Sequence, residues 1–173
     1  MHIEGEQIRL RAVEPEDIEL MYRWENDPTV WEVSGTLVPF SRHTLRRFLD
    51  EQQFDITQTG QQRLIVELRD GSRAVGAVDL FAFDPMNDRA GIGILVADEE
   101  DRRHGYARDA VQTLCRYGRE VLGLHQLWCN VAERNFASRA LFHACGFEEI
   151  GLKRDWLRRP DGWEGEYTLQ KIL

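Results

Sequence analysis

The sequence predicts a mixed α/β layer structure of the α+β class. Apolar residues alternate with polar ones near the N-terminus and in the middle of the chain, which is typical of strands buried on one face. After residue 100 the apolar residues recur at helical spacing instead. The composition, 42% hydrophobic and 30% charged over 173 residues, is that of a globular chain of one-domain size. No linker or repeat divides the sequence, so we expect a single domain over residues 1–173.

The first third of the chain predicts one strand and two helices. Alternation over Ile8–Ala12 predicts a strand, and Pro15 with the acidic residues after it favours a helix start. That helix is expected to end before Pro28, and Ser41 is a suitable N-cap for a second helix. The stretch 27–40 between them is predicted to be a long irregular loop, a length that is often functional.

The remaining residues predict six more strands and two more helices. Three strands form a meander, a helix–strand–helix segment comes next, and a hairpin ends the chain. Glycines after the helical patterns are expected to terminate them. The predicted strands are 64–68, 74–83, 89–97, 127–131, 150–158 and 163–173, and the predicted helices are 107–122 and 137–144.

Composition excludes several classes of protein. Lys plus Arg is 22 and Asp plus Glu is 30, giving a net charge of −8, whereas nucleic-acid-binding proteins are usually basic. No apolar run is long enough to span a bilayer, so no membrane partner is expected. The N-terminus has no secretory signal pattern, and three cysteines without framework spacing suit a reducing compartment, so a cytoplasmic location is expected. The five histidines show no metal-ligand spacing, so no metal site is predicted.

The charge is unevenly distributed along the chain. Residues 1–60 contain 12 acidic and 6 basic side chains, a net charge of −6, and residues 102–119 contain five arginines and one aspartate, a net charge of +4. One segment could attract a cation and the other an anion. Charge alone favours the simpler interpretation, in which both segments are solvated helix faces.

A basic glycine-containing segment, Arg102–Arg108, carries the strongest chemical signal. It comes after a predicted strand and opens a predicted helix, whose first-turn N–H groups and dipole attract anions. Gly105 and Ala107 would let the backbone approach a ligand closely, so the segment could cradle a pyrophosphate. An ordinary basic loop is the alternative. Dinucleotide and Walker phosphate loops are excluded, because no Gly-x-Gly-x-x-Gly comes after the first strand and no Gly-Lys-Ser/Thr occurs.

Two motifs resemble those of the GNAT superfamily of N-acetyltransferases. Arg102-x-x-Gly105-x-Ala107 is similar to the Gln/Arg-x-x-Gly-x-Gly/Ala signature of that family, and a segment from Asn135 to Phe147 is similar to a second one. The N-terminal region, with Ile8-Arg9-Leu10-Arg11 and Trp24-Glu25-Asn26-Asp27, resembles the branch that holds ribosomal-protein N-terminal and spermidine/diamine acetyltransferases. The likeness extends over almost the whole chain.

The resemblance implies a fold and a cofactor. The expected fold is a mixed, mostly antiparallel sheet of about seven strands flanked by about four helices, with two strands that splay apart around the acetyl thioester. Acetyl-CoA is the implied co-substrate, with no metal. The residues that the resemblance assigns to it are Ile94, Leu95 and Val96 along the pantetheine, Arg102, Arg103, His104, Gly105, Tyr106, Ala107 and Arg108 at the phosphates, and Asn135 and Ser138 near the pantetheine.

Two positions depart from the family pattern. Phe142 stands where many relatives have a tyrosine that protonates the leaving thiolate, and a phenyl ring has no proton to give. His143, its neighbour, would project in another direction from a helix. Gly91 stands where many relatives have a glutamate that acts as general base through water. Another residue or water would then have to carry the protons.

Three residues are the candidates for catalysis: Asp79, Glu32 and Asn130. Asp79 lies in an otherwise apolar strand, where a half-buried acid requires a reason; pairing with an arginine is the alternative to a role as base. Glu32 falls in the long loop that builds the acceptor pocket in related enzymes, and a solvated loop acid is the alternative. Asn130 could orient water, or it could be an ordinary polar residue of its strand. Three aromatic residues could form a wall for a cationic amine, although core positions explain them too: Trp31, Trp156 and Tyr167.

The predicted function is acetyl transfer from acetyl-CoA to a primary amine. The acidic N-terminal third favours a cationic acceptor, either a polyamine or diamine or the N-terminal amine of a protein. A non-catalytic acyl-CoA-binding sensor is the alternative that Phe142 and Gly91 favour, and a phosphate-binding module would leave the second motif unexplained. The terminal hairpin could pack against a second copy in a homo-oligomer or cover its own core.

Overall fold

A computed structural model describes residues 3–52 and 55–173, apart from the side chains of Glu32 and Val33. Within these residues eight strands form one open sheet. The sequence predicted about seven; the additional strand is the two-residue β1. The strands are β1 (Ile3–Glu4), β2 (Ile8–Ala12), β3 (Gln62–Leu68), β4 (Ala74–Asp84), β5 (Arg89–Val96), β6 (Gln126–Ala132), β7 (Glu148–Arg159) and β8 (Gly162–Ile172).

Six α-helices are found among the described residues, two more than the sequence predicted. They are α1 (Ile18–Glu25), α2 (Pro28–Ser34), α3 (Arg42–Glu51), α4 (Ile56–Thr59), α5 (Tyr106–Glu120) and α6 (Phe136–Ala144). Short 3-10 turns precede α1 and α5, at Pro15–Asp17 and Glu99–Asp101.

The prediction of an irregular loop over 27–40 was wrong for its first half, which is helix α2. Asp27 caps this helix by accepting a hydrogen bond from the N–H of Thr29 at 2.8 Å, and Pro28 occupies the first helical position. Gly35 then ends the helix with φ +70°. In the sequence, Pro28 indicates the end of the preceding helix, but the pair Asp27-Pro28 is also a good helix start.

The strand order is β1-β2-β3-β4-β5-β6-β8-β7. Within the described residues six of the seven pairings are antiparallel, and the pairing of β5 with β6 is parallel. This parallel pairing comprises three residue pairs and ends at Gly91↔Trp128, although both strands continue beyond it. The two strands therefore diverge and leave a V-shaped gap in the middle of the sheet.

The two faces of the sheet are covered differently. Helices α5 and α6 pack on one face, here called the α5 face, with buried residues such as Leu114, Phe142 and Leu169 in the main core. The other face, here called the α1 face, has a smaller core in which Trp24 of α1 packs against Ile65 and neighbouring residues of the sheet. The gap between β5 and β6 is thus flanked by a heavily packed layer and a lightly packed one.

The terminal hairpin β7–β8 forms one end of the sheet. The side chain of Tyr167 packs against the main core, whereas the side chains of Trp156 and Trp163 are 58% and 60% exposed. The hairpin thus covers the core with only part of its aromatic surface, and self-association through the rest stays a prediction. No helix within the described ranges is long and apolar enough to cross a membrane.

Candidate active site

The gap between β5 and β6 opens towards the start of helix α5. Beyond Gly91 the residues of β5 from Gly93 to Val96 become half-buried, while Ala90 and Ile92 before them are buried. The backbone groups on the β6 side of this segment face the gap, and such groups require hydrogen-bond partners. The resemblance assigned Ile94, Leu95 and Val96 to the pantetheine, and the structure places all three along this freed edge.

The basic segment forms an exposed loop and helix start at the end of β5. Gly105 is the N-cap of α5 with φ +89°, a left-handed conformation that glycine adopts without strain. Because glycine has no side chain to cap the helix, the first-turn N–H groups of α5 are available to an anion. Exposed arginine side chains surround this helix end: Arg102, Arg103 and Arg108. His104 stacks on Tyr106, with ring centroids 5.6 Å apart.

Two buried carboxylates fix this helix start to the sheet. Asp101, in the turn before the loop, is 3% exposed and forms a two-pronged ion pair with Arg73 of the β3–β4 connection. Asp109, in the first turn of α5, accepts hydrogen bonds from the backbone N–H groups of Glu6, Gln7 and Ile8. These two acidic side chains are thus used internally, whereas Asp98, Glu99 and Glu100 of the preceding turn are exposed, as are the arginines of the loop and helix start.

The second motif begins helix α6. The Oδ1 of Asn135 caps this helix by accepting a hydrogen bond from the N–H of Ser138 at 3.1 Å. The contact between α6 and the start of α5 is made at Cys145, whose Sγ lies 3.8 Å from the carbonyl oxygen of Arg108. A cofactor contact of Asn135 or Ser138 stays a prediction, since the hydrogen bond seen here belongs to the helix cap.

The two departures from the family pattern have clear structural causes. Phe142 is 3% exposed and packs edge-on against Phe147, with ring centroids 5.1 Å apart. His143 points to β7, where Nε2 lies 3.1 Å from Oε1 of Glu149. A side chain at Gly91 would overlap the ring of Phe81, so the strand has no room for an acid at this position.

Asp79 lies on the α1 face beside the gap, in a charged cluster with Arg63 and Glu25. Arg63 donates from Nε to Oδ1 of Asp79 at 2.7 Å and from Nη2 to Oδ2 at 3.0 Å, and its Nη1 bonds Glu25. The side chains of Glu25, Arg63 and Asp79 are 13%, 18% and 29% exposed. Burial lowers the pKa of Arg63, but the two carboxylates more than offset this and raise it above its ordinary value.

This cluster carries one net negative charge next to the gap. Two carboxylates share a single guanidinium, and Asp79 is the more exposed of the two. Its Oδ2 would lie 3.9 Å from a Cβ on Gly93, so it faces the half-buried part of β5. The arginine pairing that the sequence left as an alternative is therefore present, and the role of Asp79 as a base stays a prediction.

The other candidates are dispersed. Asn130 lies on β6, across the gap from β5, and its Oδ1 accepts a hydrogen bond from Thr168 Oγ1 at 2.9 Å. Glu32 is in helix α2, and its side chain lies outside the described residues. Two of the three aromatic residues that could have lined an amine have other contacts. Tyr167 packs on the α5 face, where Arg139 stacks over its ring at 4.2 Å, and Trp31 Nε1 donates a hydrogen bond to the carbonyl oxygen of Glu25.

The three cysteines are buried, and their environment disfavours the reactive thiolate form. Burial raises the pKa of Cys115 to about 11 and that of Cys129 to about 12, and it also raises the pKa of Cys145. A thiol nucleophile requires a lowered pKa and a neighbouring base. Within residues 3–52 and 55–173, no group of three or more His, Cys, Asp or Glu side chains is placed to hold a metal ion.

The sequence reasoning missed Phe81 and Trp128, which meet at the point of the V. Their rings contact edge-on with centroids 5.2 Å apart, and Phe81 lies over Gly91. The signal available in the sequence was the apolar strand containing Phe81 together with the glycine at 91. Only the strand register, Phe81↔Gly91 and Gly91↔Trp128, shows that the three residues lie side by side.

This geometry suits an extended ligand with a phosphate end. A freed strand edge leads to a glycine-capped helix start with exposed arginines, which is the arrangement that a coenzyme A thioester requires: hydrogen bonds along its arm and positive charge at its pyrophosphate. The site is therefore that of a coenzyme-A-dependent acyltransferase.

The chain belongs to the acetyltransferase (GNAT) domain family, whose model matches residues 7–148. It is 28% identical over 155 residues to the uncharacterized N-acetyltransferase p20 of Bacillus licheniformis, covering 87% of this chain and 84% of that protein. It is 24% identical over 132 residues to a [ribosomal protein bS18]-alanine N-acetyltransferase of Haemophilus ducreyi, covering 76% and 81%.

Among solved structures, the fold is similar to that of the spermidine N-acetyltransferase of Vibrio cholerae in complex with CoA and spermine. The TM-score is 0.86 at 21% sequence identity, over 96% of this chain and 95% of the other. The expected fold, a mixed and mostly antiparallel GNAT sheet, is confirmed. The protein is an N-acetyltransferase that uses acetyl-CoA as co-substrate.

Proposed function

We propose that the protein transfers the acetyl group of acetyl-CoA to a positively charged primary amine by direct attack. The acceptor is a diamine or polyamine, or the α-amino group of a peptide. The observation that carries this proposal is the Glu25–Arg63–Asp79 cluster, which holds one net negative charge beside the gap. A cationic amine would be attracted to this charge, and the partial exposure of Asp79 leaves room for contact.

The relatives support both acceptor classes. One similar structure is a spermidine N-acetyltransferase with bound spermine, and one similar sequence is a ribosomal protein alanine N-acetyltransferase. A polyamine and a peptide α-amino group share a primary amine that is protonated at neutral pH. They differ in the chain attached to this amine, so the remainder of the acceptor, and not the reacting nitrogen, must decide between them.

The residues assigned to acetyl-CoA would hold it from the gap to the start of α5. The backbone of Ile94, Leu95 and Val96 would bond its arm, and the N–H groups from Tyr106 onwards, with the arginines, would bind its phosphates. Asn135 and Ser138 would flank the arm. When bound, the co-substrate supplies an acyl group activated as a thioester.

The transfer requires the acceptor nitrogen to lose two protons in turn and the leaving thiolate to gain one. The ammonium of the acceptor must first lose a proton, since only the neutral nitrogen has an electron pair to attack with. The nitrogen then forms a bond to the acetyl carbon, the carbon–sulfur bond breaks, and coenzyme A leaves as a thiolate. The bonded nitrogen loses its second proton as the amide forms, and the thiolate takes up one proton. The products are therefore an acetamide, the thiol of coenzyme A and one net proton.

Asp79 would bind the ammonium and direct its proton to water. Both of its oxygens already accept hydrogen bonds from Arg63, yet each retains a lone pair that can accept one more. Asn130, on the opposite strand of the gap, would orient the water that carries the proton. Glu32, from helix α2, would add negative charge to the acceptor side. With Phe142 lacking a hydroxyl, water would also protonate the thiolate.

Release of free thiol from acetyl-CoA across a panel of amines tests the proposal. The panel contains spermidine, putrescine, peptides with free and with blocked N-termini, and an aminoglycoside. We expect turnover with at least one cationic amine and none with the blocked peptide. Binding of acetyl-CoA without turnover of any amine would contradict the proposal and support an acyl-CoA sensor. Absence of stabilisation by millimolar acetyl-CoA in a thermal melt would contradict the cofactor site itself.

The variant Asp79→Asn tests the acceptor charge. It removes the net negative charge while keeping the shape of the side chain, so we expect KM for a cationic amine to rise roughly tenfold. The affinity for acetyl-CoA should stay the same. Asp161→Asn is the matched control, because Asp161 also pairs with an arginine, Arg134, but at an exposed turn. Unchanged kinetics of Asp79→Asn at every pH would remove Asp79 from the acceptor site.

A further inference from the structure

The point of the V-shaped gap is closed by two aromatic side chains on the α1 face. The ring of Phe81, on β4, extends over Gly91 of β5 and meets the ring of Trp128 on β6. Their centroids are 5.2 Å apart at an angle of 82°. Three neighbouring strands thus contribute to one barrier, which we call the Phe81–Trp128 wall.

Gly91 is required for this wall. A Cβ at Gly91 would overlap the ring of Phe81, at Cε2, Cζ and Cδ2. Because the ring occupies this volume, the wall stands directly at the last residue pair before the strands separate, Gly91↔Trp128. Anything bound deep in the gap therefore ends against Phe81 and Trp128.

Beyond the wall, on the same side of the sheet, lies an open surface pocket of about 510 Å³, here called the cavity. Trp128 lines this cavity, together with residues from β4 to β8. Its polar lining is internally bonded: Arg89 pairs with Asp84 at 3.0 Å, and Gln170 bonds Gln126. Ile150, which is 58% exposed, provides an apolar side chain. Trp128 thus borders both the end of the gap and this cavity, which has room for several methylene groups.

The path along β5, from the start of α5 to the Phe81–Trp128 wall, determines which end of a bound thioester lies against the wall. From Val96 back to Gly91 the strand covers five residues, or about 16 Å at roughly 3.3 Å per residue. A thioester whose phosphates lie at α5 and whose arm runs along β5 has its acyl end directed at the point of the V. The acyl group is then the part that approaches Phe81 and Trp128.

We propose that Phe81 and Trp128 determine the acyl specificity of the enzyme, by admitting an acetyl group and excluding longer acyl chains. The inference rests on the proposed binding of the acyl donor along β5, and it assigns a role to two residues that the acetyl transfer itself does not require. The wall acts by steric exclusion: a longer chain would have to displace two packed rings. Removal of the Trp128 ring would join the gap to the cavity and give such a chain a place to lie.

Binding of coenzyme A thioesters, measured by calorimetry without any acceptor amine, tests the proposal. The ligands are CoA, acetyl-CoA, propionyl-CoA and hexanoyl-CoA. For the wild-type protein we expect hexanoyl-CoA to bind at least about tenfold more weakly than acetyl-CoA, since a misfit of even one methylene costs roughly that much in a closed pocket. For Trp128→Ala the order should reverse, with the Kd of hexanoyl-CoA below that of acetyl-CoA.

Control variants distinguish a specific effect on acyl preference from a general loss of structure. Trp163→Ala removes a tryptophan that is 60% exposed on β8, so it should leave the ratio of the two affinities unchanged. Phe81→Leu is a milder second variant, for which we expect a smaller shift in the same direction. An unchanged affinity for CoA itself shows that a variant is folded and that its phosphate site is intact.

The outcomes are distinct from those of the proposed function. Equal binding of acetyl-CoA and hexanoyl-CoA by the wild type, or an unchanged ratio in both wall variants, would overturn the acyl-specificity proposal while leaving acetyl transfer in place. Failure of all thioesters to bind would instead contradict the cofactor site.

Discussion

The carboxylate of Asp109, in the first turn of helix α5, accepts a hydrogen bond from the backbone N–H of Ile8 at 3.1 Å. Two further backbone donors, from Glu6 and Gln7, reach the same carboxylate at 3.0 and 2.6 Å. Asp109 is 8% exposed, so the start of strand β2 and the start of α5 are joined by a buried ionic group. The helix end that would bind the phosphates is therefore fixed to the start of strand β2.

Asp109→Ala should destabilise the protein and loosen the helix start. It leaves three backbone donors without their acceptor, one of them buried, and we expect a loss of roughly 2–4 kcal/mol in the free energy of unfolding. Urea denaturation gives this value. The affinity for acetyl-CoA should also fall, because the turn after Gly105 is less well positioned. Glu120→Ala, at the exposed end of the same helix, is the control, and an equal effect of both variants would contradict the proposed link.

Arg73→Ala should destabilise the protein more at pH 7 than at pH 3. The hydrogen bonds from Arg73 lower the pKa of Asp101 in the folded state. A lowered pKa gives stability that is present above the unfolded value, about 3.9, and is lost as the pH falls through the folded one. The difference in unfolding free energy between wild type and variant should therefore shrink on acidification. A difference that is constant between pH 3 and pH 7 would contradict an ionic role for the pair.

The sequence was sufficient to predict the local geometry of the proposed phosphate end of the site. The glycine at 105 and the surrounding arginines act locally, through one helix end, so their spacing in the chain is also their arrangement in space. The helix after them and its termination near Gly123 were predicted for the same reason. The prediction of a loop over residues 27–40 was wrong because Pro28 can either end one helix or begin the next. Local sequence alone did not decide between these two roles.

The geometry of the proposed acceptor end could not be predicted, because it depends on register between distant strands. Asp79 was identified as an unusual acid, but its partner Arg63 is 16 residues away on β3, and Glu25 belongs to a helix. The meeting of Phe81, Gly91 and Trp128 likewise depends on three strands being aligned at one level. A shift of one residue in any of them would move the side chain to the other face.

Gly105→Ala should weaken the binding of acetyl-CoA more than it weakens folding. The position has φ +89°, so any side chain introduces strain, and a Cβ would lie 3.0 Å from Nε2 of Gln7 beside the helix start. We expect about a tenfold rise in Kd, measured by calorimetry, since a small displacement of a ligand-bound helix end weakens several hydrogen bonds at once. Gly123→Ala is the matched control: it has φ +68°, and its added Cβ meets open space at the other end of α5. Equal Kd values for the two variants would refute the cradle.

Cys129 should make the stability of the protein fall in alkaline solution. Burial raises the pKa of its thiol from an ordinary value of about 9 to about 12. Between these values the unfolded chain releases the proton and the folded chain keeps it, so the unfolded state is favoured increasingly as the pH rises. One such group changes the unfolding free energy by up to about 1.4 kcal/mol per pH unit. Urea denaturation from pH 8 to pH 10.5 should therefore show a steeper decline for the wild type than for Cys129→Ala, whatever the absolute stability of the variant. Parallel declines would mean that the thiol ionises in the folded protein as readily as in the unfolded one, and that the strand it occupies opens to water.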